Sequence, residues 1–176
     1  VLSLGAGLGG LAGLGSMLHM VNHSCAKAML FLLAGNILAV YRTKSTRQVR
    51  GLLRSLPITG PLWMAGFLAI AGSPPFGLFV SELIILKEAL QAGRLFVAAG
   101  YLLALSVIFV AMARIVLPMV YGETDHTAGL GSGHGRNAWA ILPPMVLGAA
   151  VLTLGLYLPA WLQQALAGAA RAAGIQ

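Results

Sequence analysis

Charge is what this sequence has least of. Charged residues make up 9% of the 176 positions and only four of them are acids, against roughly a quarter charged in an ordinary soluble domain. With 59% hydrophobic residues and a mean hydropathy of +0.88, the chain is excluded from the soluble globular, disordered and coiled-coil classes. Cysteine is nearly absent: Cys25 stands alone, which excludes an internal disulfide framework and any all-cysteine iron–sulfur or zinc site. Cys25 itself reads as a small buried hydrophobe. Nucleotide signatures are missing too. There is no P-loop, no dinucleotide glycine motif after a strand and no nucleophile elbow, and Gly7, Gly9 and Gly10 lie in an apolar helix end.

What remains is long apolar sequence, with 23 glycines of the kind that let helices approach closely in lipid. At about 20 residues per span, the length allows about five spans. The net charge of +7 does not point to nucleic acid. Arg42, Lys44, Arg47, Arg50 and Arg54 sit together between two apolar segments, which is the usual positive-inside signal, and no aromatic residues interleave with them to stack bases. The chain opens on Val1 without a basic n-region or a small-residue cleavage site, so the start is not a signal peptide. It reads as a chain beginning inside a helix, the alternative being a processed start.

Residues 1–8 read as the last turns of a helix. Gly9, Gly10, Gly13 and Gly15 then supply a turn, or else Gly5, Gly9 and Gly13 form a small-residue packing face; both readings stand. A helix over 11–41 carries His19, His23 and Lys27, and the basic loop follows, ending near Pro57. The segment 58–91 is too long for one plain span and too short for two. Its centre, Gly72-Ser73-Pro74-Pro75, must stop a helix because proline lacks the backbone N–H and restricts the residue before it. Two half-helices, 61–71 and 77–90, are expected. In lipid the freed backbone groups must be buried in protein or face water, so a broken helix points to an ion or substrate site. Glu82 follows the break, and Lys87, Glu88 and Arg94 fall near the membrane surface. A fourth helix covers 95–120, with Arg114 and Pro118 near its end. A polar loop, 121–136, holds His126 and His134, both expected to be solvated. A fifth helix covers 139–158, with Pro143 and Pro144 in its first turns, and Trp161 anchors an interfacial tail.

The expected fold is therefore an all-α polytopic membrane helix bundle: four full spans plus an N-terminal helix remnant, one span discontinuous at Gly72, Ser73, Pro74 and Pro75. Residues 1–158 form the membrane domain and 159–176 the tail. Charge distribution puts loops 42–57 and 121–136 in the cytoplasm and the C-terminus outside.

His19, His23 and Lys27 recur at every fourth position. On a helix they span about 80° of circumference and rise about 12 Å, forming one polar stripe along the membrane normal. A charged group facing lipid costs at least about 2.5 kcal/mol, so such residues face the bundle interior or a wet cavity. Proton transfer needs groups whose two protonation states lie close in energy. Histidine meets this near neutrality, and burial brings Lys and Glu toward it. Asn22 and Ser24 flank the stripe and could hold waters. A metal site at His19 and His23 lacks an adjacent glutamate and a third ligand, so no metal is expected.

These residues also carry a resemblance. HMVNHSCAKAMLFLLAGN at 19–36, VRGLL at 49–53 with PITG at 57–60, and GFLAIAGSPPFGLFVSE at 66–82 resemble, in order, motifs of the antiporter-like subunits of respiratory complex I and membrane-bound hydrogenases. Asn36, the Arg50–Leu53 stretch and the PPFGLFVSE detail look closest to the hydrogenase-4 component F branch. The resemblance implies a fourteen-helix core of two inverted five-helix repeats, each with a broken helix. This chain corresponds to most of the second repeat plus the last helix. It implies that His19, His23 and Lys27 lie on the central hydrophilic axis and that Glu82 is the ionisable residue at the broken helix. The first repeat and its half-channel are absent, so the chain alone is not expected to move protons.

The resulting expectation is part of a proton-translocating subunit in the inner membrane of a prokaryote. Its expected relay is His19, His23, Lys27 and Glu82, and it holds no cofactor and performs no redox catalysis itself. Its partners would be other membrane subunits, a peripheral redox arm, the lipid bilayer and protons or sodium, with no nucleic acid. A cation/proton antiporter subunit and a structural subunit with a silent channel are the alternatives.

Overall fold

The computed structural model describes residues 1–123 and 138–175, and these residues form helices without strands. In chain order they are α1 (Leu2–Leu8), α2 (Gly10–Tyr41), α3 (Leu52–Ser55), α4 (Thr59–Ile70), α5 (Gly77–Gln91), α6 (Leu95–Tyr121), α7 (Ala138–Leu156) and α8 (Ala160–Ala172). The expected loop residues His126, His134 and Arg136 lie outside the described residues. Among the described residues, three helices are long and apolar enough to cross a membrane: Gly10–Tyr41, Leu95–Tyr121 and Trp139–Leu156.

The two readings of the early glycines both hold in part, at different positions. Gly9 and Gly10 take φ of +74° and +54°, a region that favours glycine, and turn the chain between α1 and α2. Gly5 and Gly13 instead serve packing. A Cβ on Gly5 would strike the Ser16 hydroxyl, and one on Gly13 would strike the Ile175 side chain. The Ser16 hydroxyl donates to the Leu2 carbonyl at 3.1 Å, which ties α1 back along α2. Arg42 ends α2 in the left-handed region, its N–H donating to the Leu38 carbonyl.

α2 is the central helix and packs against α1, α4, α5, α7 and α8. Near its C-terminal end, Ile37 and Val40 join Val49, Leu52, Leu56, Phe67, Val116 and Met119 in the largest apolar cluster. Tyr41 closes this end by donating to the Arg50 carbonyl at 2.6 Å. A smaller cluster of Ala26, Ala69, Leu78 and Val151 joins α2, α4, α5 and α7, and half-buried Cys25 packs against it. The outer faces of α6 and α7 expose large apolar side chains, among them Phe96, Leu103, Val107 and Val146, as surfaces against lipid or other membrane helices do. α8 is two-sided: Leu166 and Ala170 are buried and Trp161 is exposed.

One polar tie across this bundle follows from a proline. Pro144 has no N–H to give the carbonyl four residues earlier, that of Ala140. The side-chain amide of Asn36 donates to that carbonyl at 2.8 Å, so α2 satisfies a group that α7 cannot. Asn36→Ala leaves the carbonyl without this donor. It should lower the thermal midpoint of the full-length protein by an amount equivalent to about 1–2 kcal/mol, whereas Asn36→Gln should lower it less. An unchanged midpoint in Asn36→Ala would show that the tie is dispensable.

Candidate functional site

α2 brings three polar groups to one side, and their burial decreases along the helix: His19 is buried, His23 half-buried and Lys27 exposed. Of the two surroundings expected for the stripe, the bundle interior or a cavity, Lys27 has the more open one. Lys27 is thus the least covered of the three. The three nevertheless line one cavity of about 430 Å³, with Glu82 on its other wall. The rings of His19 and His23 stack with centroids 5.6 Å apart.

α4 ends at Ile70 and α5 begins at Gly77; Gly72, Ser73, Pro74 and Pro75 lie between them. Gly72 has φ +67° and sits directly against the carboxyl group of Glu82, where a Cβ would overlap it. Glu82, buried on α5, borders two cavities at once. The second, of about 340 Å³, runs past Gly72 toward Tyr101 on α6. A third, of about 240 Å³, shares Ala34 and Trp63 with the central cavity and reaches Thr43, Lys44 and Thr46 of the basic loop.

Several polar groups here carry more than the sequence suggests. Asn22, on a flanking face of the stripe, is fully buried. Its amide donates to the Leu18 carbonyl at 3.1 Å, and its Oδ1 has no hydrogen-bond partner among the described residues. It fits because a Cβ at Gly77 would overlap it. Ser24 is exposed and donates to the Met20 carbonyl. Trp63 Nε1 and the Tyr101 hydroxyl are likewise buried without a partner among the described residues, Trp63 beside the first and third cavities and Tyr101 beside the second. Buried polar atoms of this kind normally find protein or water partners. Ser81, 0% exposed, contacts His19 Nδ1 at 3.1 Å. Only its place beside Glu82 in the 66–82 motif hinted at it; Trp63 and Tyr101 had no signal, being single aromatics in apolar helices.

Residues 2–128 match the family described as NADH:quinone oxidoreductase/Mrp antiporter, TM. The chain belongs to this family. It is thus an antiporter-like, transmembrane member of the group shared by complex I, Mrp and hydrogenase subunits. It is 33% identical over 129 residues to a hydrogenase-4 component F homolog of Methylacidiphilum infernorum (isolate V4), a match covering 71% of this chain and 27% of that protein. It is also 33% identical over 172 residues to NADH-quinone oxidoreductase subunit L of Mycobacterium tuberculosis, covering 91% of this chain and 27% of that protein. The chain therefore spans about a quarter of the length of these relatives. The structure of the Mrp complex from Dietzia sp. DQ12-45-1b contains a chain similar in fold, with a TM-score of 0.79 at 24% identity, covering 97% of this chain and 39% of that one.

Proposed function

We propose that this chain is part of a proton-translocating membrane subunit of a redox-driven complex, of the hydrogenase-4/formate hydrogenlyase or NADH:quinone oxidoreductase type. His19, His23, Lys27 and Glu82 are its relay groups. The observation that carries this reading is that four ionisable side chains from two helices line one cavity in a chain with so few charges. In an apolar bundle such groups are expensive unless they serve a path. Glu82, bordering a second cavity, is the group through which a proton would pass from one to the other. The buried Trp63 and Tyr101 donors would hold water along the way.

The membrane arrangement is part of the same proposal. α4 and α5, with 12 and 15 residues, are about 18 and 22 Å long, each short of a hydrocarbon core of about 30 Å. Taken together as one discontinuous span, they make four spans with α2, α6 and α7, preceded by α1 as a helix remnant. Residues 1–158 then form the membrane domain, and α8 lies at the interface with Trp161 as anchor. The positive-inside rule puts loops 42–57 and 121–136 in the cytoplasm of a prokaryotic inner membrane and the C-terminus outside. Other membrane subunits and a peripheral redox arm would be the partners, with electron transfer and its cofactors belonging to that arm.

The family description includes Mrp antiporters, which favours a second reading: a subunit of a multisubunit cation/proton antiporter. One experiment addresses both. In the full-length protein within its complex, Lys27→Ala should reduce proton transport about tenfold at unchanged assembly. Transport that requires sodium would favour the antiporter. Wild-type transport in Lys27→Ala would remove Lys27 from the path, and full transport after loss of each of the four groups would leave a structural subunit.

A further inference from the structure

The buried hydroxyl of Ser81 touches two groups at once. It lies 2.7 Å from the Leu78 carbonyl and 3.1 Å from His19 Nδ1. A serine hydroxyl has one proton to give and two lone pairs to receive, and a carbonyl oxygen can only accept. The shorter contact has the length of an O–H···O bond and the longer one that of an N–H···O bond. The Ser81 proton therefore goes to Leu78, and the hydroxyl oxygen receives an N–H from His19.

From this the geometry points to Ser81 as a positioning residue that fixes the tautomer of His19. Neutral His19 carries its hydrogen on Nδ1, held by Ser81, and keeps the Nε2 lone pair as its one acceptor. A proton arriving at His19 binds Nε2 and leaves from Nε2, while Nδ1 stays protonated and bound throughout. Without the anchor, the neutral ring could take either tautomer and turn about its side-chain torsions. Because Ser81 and Glu82 are consecutive on α5, any shift of that helix moves the anchor of His19 and the Glu82 carboxyl together. The two histidines of the stripe thereby differ: His19 is held from α5, whereas His23 stacks on it.

This inference rests on the relay reading, and its test separates the two. In the full-length protein within its complex, histidine ¹⁵N spectra of wild type and His19→Gln identify the His19 signals by difference. They should show a protonated Nδ1 and an unprotonated Nε2 in the neutral ring. A protonated Nε2 with bare Nδ1 overturns the assignment, and this measurement needs no variant of Ser81. Ser81→Ala should lose the single tautomer and lower proton transport about ten- to hundredfold, by analogy with the loss when the group orienting a metal-bound histidine is removed. Ser81→Thr, which keeps the hydroxyl, should restore both. Should His19→Gln stop transport while Ser81→Ala transports like wild type, the positioning role is wrong and the relay stands. Should His19→Gln transport like wild type, the relay reading fails at His19 and takes with it the catalytic use of the tautomer.

Discussion

Glu82→Gln, made in the full-length protein within its complex, should lower proton transport about a hundredfold, the lower end of what a positioned acid–base group contributes. Glutamine keeps the size and shape of the side chain but cannot take up or release a proton at working pH. Assembly should be preserved, because the carboxyl is packed against Gly72 and glutamine fills the same space. Gly72→Ala tests the same group from the other side. Its Cβ would lie 2.7 Å from the Glu82 carboxyl carbon and 2.9 Å from Oε1, at a backbone φ of +67° that L residues rarely adopt. The obstacle is the end of a flexible side chain, so the carboxyl is displaced rather than the fold broken. A displacement near 1 Å can cost a hundredfold; about tenfold is expected here, because Glu82 keeps two cavities to move in. The two changes act on one group, so their effects should not multiply: the double variant should transport no worse than Glu82→Gln alone. A multiplied loss would mean that Gly72 acts elsewhere, and wild-type transport in Glu82→Gln at normal assembly would remove Glu82 from the path.

How much of this site the sequence reveals depends on the range of the interaction. The stripe of His19, His23 and Lys27 is legible because helical periodicity alone aligns residues four apart. The stop near residue 72 is legible because Pro74 and Pro75 act on their own backbone. The meeting of Ser81 with His19, of Gly77 with Asn22 and of Asn36 with Ala140 joins helices distant in the chain, and no local rule specifies it. The degree of exposure at Lys27 is not legible for a related reason. A polar stripe says that some neighbour or cavity must face it, but which helix supplies the cover depends on the rest of the fold. Burial of Asn22 depends on the opposing Gly77, which nothing within α2 identifies. The glycines were the least legible of all. In apolar helices a glycine that faces lipid and one that admits another backbone look alike.

Gly155 is the strongest example, and replacing it should cost the most stability. It lies one residue from the end of α7, where that helix crosses the connection between α4 and α5. A Cβ there would overlap the Pro75 carbonyl oxygen and lie 2.6 Å from the Phe76 carbonyl carbon and 2.7 Å from the Gly77 nitrogen. The contrast with other packed glycines decides the outcome. At Gly66 the added atom meets the Leu30 side chain, and at Gly148 the thioether of Met29; both can change rotamer. At Gly155 the obstacle is backbone, already constrained by two prolines, so the helix itself must move. Lifting α7 loosens Val151 from Leu78, Ala26 and Ala69, and in lipid such close packing is the main force holding helices together. Gly155→Ala should therefore cost about 3 kcal/mol, the upper part of the overpacking range. It should appear as a lower thermal midpoint of the purified complex and a smaller fraction of the subunit recovered in it. Gly100→Ala is the internal control, because a Cβ there meets nothing within 4 Å; it should leave the midpoint unchanged or raise it slightly. Equal midpoints for the two variants would mean that α7 does not rest on the connection through Gly155. A selective loss in Gly155→Ala would mean that α7, through one missing side chain, holds in place the segment against which Glu82 is set.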